Sequence, residues 1–178
     1  MNPLASSRLD LIPATLECIE AELEAPAHLG RLLSVEVPAS WPPGEYDRAA
    51  ILFLRDRLVE SPEAIGWYGW YAIQRGASGR PGILVGAGGF FGPPASDGVV
   101  ELGYSIVPEF QARGLATEMV RALVAFALGN PGVKRVIAHT IPANAASIRV
   151  LERCGFRPGG PGRKPGTVRY ERAARRTD

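Results

Sequence analysis

The chain has 178 residues, 46% of them hydrophobic and 21% charged, with a net charge of +2. That is enough for one domain with a sizeable core, at close to ordinary soluble composition, and the charge is too small to point to nucleic acid or a membrane surface. No apolar run approaches the roughly 18 residues of a membrane span, and the N-terminus lacks the basic-then-apolar pattern of a secretory signal.

Arg8 to Ile12 alternates and reads as a short strand, ended by Pro13, which suits the first turn of a helix running to about Glu24. Pro26 and the stretch Pro38 to Gly44 break that pattern into a long loop-rich passage. Tyr46 to Glu60 carries helical spacing in Ala50, Leu54 and Leu58. Trp67 to Gln74 reads as a strand, Ser78 to Gly82 as a turn and Ile83 to Phe91 as the return strand. A second turn from Gly92 to Gly98 leads to a third strand, Val99 to Val107, which together imply an antiparallel meander. An amphipathic helix over Thr117–Leu128 follows, then a turn at Asn130-Pro131-Gly132 and a strand from Arg135 to Ile141. Asn144 caps a helix to about Arg153 that stops at Gly155. The Gly/Pro-rich Pro158 to Gly166 separates two last strand-like pieces, Phe156-Arg157 and Thr167 to Arg172. The expected architecture is a single α/β (α+β) domain over residues 1–178, with its core at about 8–172 and a frayed tail at 173–178. The local cluster Arg169, Arg172, Arg175 and Arg176 reads as a solvated final strand and that tail.

Cys18 and Cys154 lie far apart with no metal-ligand spacing near either, so both read as buried free thiols. They suggest a reducing, cytoplasmic setting with no metal. His28 and His139 have no partner at catalytic spacing and read as incidental. Gly86-Ala87-Gly88-Gly89-Phe90-Phe91-Gly92 fails as a dinucleotide fingerprint, because the third glycine should fall at Phe91 and no helix follows. It reads better as a strand with a glycine kink.

The strand at Val99 separates by parity. Val100, Leu102, Tyr104 and Ile106 suit the core, while Glu101, Gly103 and Ser105 fall on the other face, where Glu101 is either solvated or lines a cleft. Pro108 cannot donate to a ladder, so pairing stops near Val107; a splay there would leave backbone groups open to an extended amide ligand. Next comes Gln111-Ala112-Arg113-Gly114-Leu115-Ala116, a glycine-centred loop entering a helix. Such a turn offers unpaired N–H groups at the positive end of a helix dipole and takes phosphate readily.

The run Glu101-Leu102-Gly103-Tyr104-Ser105-Ile106-Val107-Pro108-Glu109-Phe110, followed by Gln111 to Glu118, resembles the acetyl-CoA-binding core of the GCN5-related N-acetyltransferases. Gln111, Gly114 and Ala116 match that family's loop of Gln or Arg, two variable residues, Gly, one variable residue, then Gly or Ala. Asn144 to Phe156 is similar to the second signature of the branch that acetylates ribosomal-protein N-termini (RimJ/RimL-type). The strong motifs cover about Val99 to Phe156. The resemblance implies that family's fold: a mixed, mostly antiparallel central sheet splayed at the strand ending near Val107 and flanked by helices. It implies acetyl-CoA as co-substrate, with the backbone of Ile106 and Val107 taking the pantetheine amides. The N–H groups of Gln111, Ala112, Arg113, Gly114, Leu115, Ala116 and Thr117 would wrap the pyrophosphate. Arg113 adds a phosphate contact or is solvated. Asn144 would serve both as helix cap and beside the pantetheine arm.

For the chemistry, the resemblance makes Glu101 the candidate base, directly or through a water. Many relatives place a tyrosine as general acid where this chain has Leu151, which has no proton to give, so Ser147, on the same helical face, is the candidate acid. The implied acceptor is a primary amine, a protein N-terminus above all. The alternatives are a small-molecule amine such as an antibiotic or polyamine, for which Glu36, Glu45 and Asp47 would form an acidic pocket, or a non-catalytic acyl-CoA-binding module. Of Trp67, Tyr68, Trp70, Tyr71, Phe90 and Phe91, about half should be core by parity and the rest are candidates for an acceptor pocket. A homodimer is compatible with this reading.

Overall fold

The computed structural model describes residues 2–77 and 79–174. Two short strands, β1 (Leu4–Ala5) and β2 (Leu9–Pro13), precede helix α1 (Leu16–Glu24), whose first turn is capped where Cys18 N donates to Thr15 Oγ1 at 3.2 Å. Helix α2 (Pro26–Leu33) follows at once, then strand β3 (Val35–Glu36) and helix α3 (Arg48–Glu60), capped by Asp47. The meander is β4 (Gly69–Gln74), β5 (Gly82–Phe90) and β6 (Val99–Ile106). Helix α4 (Leu115–Leu128), strand β7 (Arg135–Thr140), helix α5 (Ala145–Arg153) and strands β8 (Arg157–Pro161) and β9 (Val168–Ala173) complete the chain.

Three differences from the sequence reading have local causes. Pro26 starts a helix instead of opening a loop, because at the first helical position its missing N–H has no partner to lose. The Gly/Pro-rich stretch after Arg157 forms the edge strand β8, where a proline leaves no internal ladder bond unmade. Helix α4 begins at Leu115, earlier than expected, because Gly114 takes a left-handed conformation and serves as its cap. Strand β9 runs on to Ala173, so only the last four positions of the expected tail, with Arg175 and Arg176, lie outside the described residues.

The strands form one sheet in the order β1-β2-β4-β5-β6-β7-β9-β8, with β3 joining β5 on the side. All pairings are antiparallel except β6 with β7 and β3 with β5. The decisive feature is at the centre. Strands β6 and β7 pair in parallel only at Val99↔Arg135, Val100↔Val136 and Glu101↔Ile137, whereas β5 and β6 stay paired as far as Gly86↔Ile106. Beyond Glu101 the two central strands diverge and open a gap on the β7 side of β6.

Apolar side chains cover both faces. Helix α4 buries Met119, Val120, Leu123 and Val124 against Leu102 and Val136 on one face. On the other, α1 to α3 bury Ile19, Leu29, Ile51 and Leu58 against Tyr71 and Leu84. Inside this second core Glu22 is only 5% exposed. Its carboxylate accepts from Tyr71 OH at 2.6 Å, Trp41 Nε1 at 2.7 Å and Tyr46 OH at 2.9 Å. Burial raises its pKa against the three donors, and these bonds tie the 38–47 loop to α1 and β4.

Candidate active site

The β6–α4 connection is shaped by backbone conformation. Ala112 (φ 59°) and Gly114 (φ 79°) both adopt left-handed geometry, so the chain turns tightly before α4. A Cβ at Gly114 would meet only Arg8 Nη2, at 3.5 Å, so glycine is favoured there by backbone strain and not by collision. The first N–H groups of α4 have no carbonyl partner within the helix and stand at the positive end of its dipole. The loop is braced from outside: Glu118 accepts from Ser6, Ser7 and the Arg8 amide and guanidinium, and Arg8 Nη1 donates to the Arg113 carbonyl at 3.0 Å. Although burial opposes it, these donors hold the Glu118 carboxyl down at about 2.

This loop forms one wall of a cleft of about 480 Å³ that runs into the gap between β6 and β7, with α5 as the opposite wall. Ile106, Gln111, Ala112, Gly114, Leu115, Ala116, Thr117, Asn144 and Ser147 all line it. Two expected residues do not. Val107 is fully buried; its N–H donates to Val85 O at 3.0 Å and its carbonyl accepts from Phe110 N at 3.0 Å, so it offers no backbone group to a ligand. Because ladder bonds alternate along an antiparallel strand, the Ile106 amide faces the gap instead. The Ile106 carbonyl already accepts from Gln111 Nε2 at 2.9 Å, which fastens the loop to the strand. Arg113 does not line the cleft; its guanidinium stacks 5.0 Å over the ring of Phe110, which does. Cationic charge comes from Arg149 and Arg153 instead, one turn apart on α5 and both on the cleft wall. Their four-residue spacing was visible in the sequence, but their direction was not.

At the inner end of the cleft, Asn144 caps α5 by accepting from Ser147 N at 3.0 Å. Tyr104 OH lies 3.0 Å from Ser147 Oγ and 3.2 Å from the Ser147 carbonyl. Burial pushes the Tyr104 hydroxyl up to about 12, against the Ser147 bond, so it stays protonated at neutral pH. Parity alone assigned Tyr104 to the core; the splay brings its hydroxyl into the cleft.

A second cavity of about 500 Å³ lies on the α3 side of the sheet, and it shares Tyr104 and Ser105 with the first. Tyr68, Phe90 and Phe91 line it, whereas Trp70 and Tyr71 are core. Phe53, from the α3 helix, was not foreseen there. Glu101 lies on the same sheet face as Ser105, but neither cavity is lined by it. Its carboxylate is held by two side chains: His139 Nδ1 is 2.9 Å from Oε1, and the Arg163 guanidinium pairs with Oε2. The reading of His139 as incidental is therefore corrected. The two residues are brought together by the β6–β7 register, which spacing along the chain does not reveal. Among the described residues no group of His, Cys, Asp and Glu is arranged to hold a metal, and no helix is long and apolar enough to cross a membrane.

A family model described as an acetyltransferase (GNAT) domain matches residues 15–157, well over half of the chain. A Bacillus subtilis (strain 168) protein named as the uncharacterized N-acetyltransferase YjdG is 26% identical over 153 residues, spanning 86% of this chain and 88% of its own. A ribosomal-protein-S5-alanine acetyltransferase from Vibrio fischeri superposes with a TM-score of 0.68 at 16% identity, over 98% of this chain and 97% of the other. A RimL ribosomal L7/L12 α-N-protein acetyltransferase in complex with coenzyme A gives 0.67 at 16% identity, over 97% and 98%. At such identities the superpositions establish the fold.

Proposed function

The chain belongs to the GNAT acetyltransferase family and is an acyl-CoA-dependent N-acetyltransferase; from that premise we propose that it moves the acetyl group of acetyl-CoA to a primary amine, foremost a protein N-terminal α-amine, by direct attack in a ternary complex. One observation carries the reading: two cavities on opposite faces of the sheet meet at Tyr104 and Ser105, beside the gap between β6 and β7. A donor and an acceptor entering from opposite sides would bring their reactive atoms together there.

The cleft residues fit coenzyme A by their chemistry. The loop presents backbone N–H groups in a left-handed turn at a helix N-terminus, and Arg149 and Arg153 face it with two positive charges. The N–H groups from Ala112 to Thr117 would hold the pyrophosphate, and the gap-facing amide of Ile106 would pair with the pantetheine arm, with Asn144 alongside. Bound acetyl-CoA supplies an activated thioester.

Transfer needs a neutral amine: its nitrogen bonds to the carbonyl carbon, the carbon–sulfur bond breaks, and the sulfur leaves as thiolate. An α-amine, with a pKa of about 7.7–8, is partly neutral at physiological pH, whereas a lysine at about 10.4 is not. Glu101 receives the proton the nitrogen sheds, passed by water or through His139, which holds its Oε1. The departing sulfur takes its proton from Ser147, which regains one from water in the same step. When Tyr104 donates to Ser147 Oγ, the serine proton is left to point into the cleft, and the elevated Tyr104 pKa keeps that donation intact. Positioning supplies much of the remaining acceleration.

The test is release of free thiol from acetyl-CoA in the presence of amine acceptors. Ser147→Ala and Glu101→Gln should each lower kcat by about tenfold to a hundredfold, with coenzyme A affinity kept. Undiminished kcat in both variants would remove the acid–base assignments, and thiol release that ignores the acceptor would defeat the transferase reading.

A further inference from the structure

The second cavity is built unlike a general amine site. Phe53 and Phe91 stand at its mouth 39% and 55% exposed, with ring centroids 6.4 Å apart. Phe53 also meets buried Tyr68 edge-on at 6.3 Å, so three aromatic rings make one continuous wall. Arg57 stacks its guanidinium 5.7 Å over the Phe53 ring, and the exposed parts of Phe53 and Phe91 still leave apolar surface open beside the cavity, a mark of a ligand-binding wall.

The floor is cleared to match. Gly89 and Gly103 are paired neighbours on β5 and β6 and both line the cavity. A Cβ on Gly103 would come within 3.3 Å of the Phe91 ring, and one on Gly89 would collide with the Tyr68 carbonyl at 1.7 Å. The bare backbone at Gly103 thus leaves room for the Phe91 ring, and Gly89 permits the close approach of the Tyr68 backbone.

Charge is placed at the rim. Glu45 and Asp47 line the cavity against a single cation, Lys164, which leaves the lining net negative and attractive to an ammonium. Asp47 already accepts from Ala50 N at 3.0 Å, which fixes its carboxylate in place. The exposed Phe91 ring adds cation–π attraction for the same group. A polyhydroxylated amine would set its hydroxyls against Phe53, Leu54 and Phe91 without partners, at a cost in desolvation. An extended polyamine would need more carboxylates than these two.

Resting on the reading of the neighbouring cleft as the donor site, we propose that the acceptor is a primary amine borne on an aromatic or branched apolar group. That group packs against the wall made by Phe53, Tyr68 and Phe91, its amine reaching inward to Tyr104 and Ser105. Such an amine can be the first residue of a polypeptide or a free small molecule, since the recognised chemistry is the same. The reaction balances as above: the nitrogen gains the acetyl group and loses a proton, and the leaving thiolate takes one up to become the free thiol of coenzyme A.

The experiment measures acetyl transfer from acetyl-CoA to four acceptors: a peptide beginning with phenylalanine, the same peptide beginning with serine, 2-phenylethylamine and spermidine. Titration of coenzyme A by calorimetry runs in parallel. The expected result is kcat/KM about tenfold or more higher for the better of the two phenyl-bearing amines than for the serine peptide and spermidine. Whichever of the phenylalanine peptide and phenylethylamine is faster identifies the source. Phe91→Ser and, separately, Phe53→Ser should raise KM for that acceptor about tenfold while leaving coenzyme A affinity unchanged, and both positions are exposed enough for the fold to persist. Coenzyme A binding joined to a preference for spermidine or the serine peptide, or KM unmoved in both variants, overturns this inference alone. Absence of coenzyme A binding overturns the donor-site reading and this inference with it.

Discussion

Glu118 offers a test of how the phosphate loop is held. Its carboxylate collects hydrogen bonds from Ser6, Ser7 and Arg8, and Arg8 continues to the Arg113 carbonyl in the loop itself. The group titrates at about 2 in the folded protein against an ordinary 4.5. A full shift of that size corresponds to about 3 kcal/mol at 1.36 kcal/mol for each pH unit. Solvent at the rim screens part of it, since Arg8 is 46% exposed, so about 1–2 kcal/mol remains. The sign follows from a depressed folded pKa: the contribution is complete above about 4.5 and is lost as pH falls towards about 2. Glu118→Gln should therefore lower Tm by about 3–6 °C at pH 7 for a domain of this size. The gap between wild type and variant should narrow steadily below pH 4.5. Differential scanning calorimetry of both proteins at pH 7, 5, 4 and 3 reads this directly. A gap that stays constant across the range, or no gap at pH 7, would refute the brace.

Two other predictions concern separate parts of the molecule. Gly114→Val places a β-branched residue at φ 79° with no collision beyond a 3.5 Å approach to Arg8, so the protein should fold with a loss of about 1–2 kcal/mol. Its coenzyme A affinity should drop about tenfold or more, and unchanged affinity by calorimetry would show that the loop does not hold the pyrophosphate. Glu22→Ala leaves the Tyr71, Tyr46 and Trp41 donors without their acceptor, two of them inside the second core. Urea denaturation should show a loss of about 2–4 kcal/mol; a loss below about 0.5 kcal/mol would mean that the network contributes nothing net.

The parts of the site that lie contiguous in the chain could be read from sequence. Alternation along Val99–Ile106, the glycine-centred loop and the cap at Asn144 each depend on local geometry, and the loop, Asn144 and Ser147 all line the cleft. The remainder depends on register. Whether Val107 or Ile106 faces the gap is decided by which strand each backbone group pairs with, and Val107 is taken by Val85. Tyr104 lies on the apolar face by parity, but the divergence of β7 turns its hydroxyl to Ser147, a residue 43 positions away. The Glu101–His139 and Glu101–Arg163 pairs likewise join residues on elements that only the sheet order brings together. Pro26 misled for another reason. A proline both stops and starts helices, and only the buried Leu29 beyond it shows which happens here.

The most direct measurement is a crystal structure of the protein with coenzyme A. The account predicts the pyrophosphate on the N–H groups between Ala112 and Thr117, the pantetheine arm in the gap between β6 and β7, and the sulfur within hydrogen-bonding reach of Ser147 Oγ, beside Tyr104. A pyrophosphate bound away from this loop, or a thiol that ends remote from Tyr104 and Ser105, would contradict it.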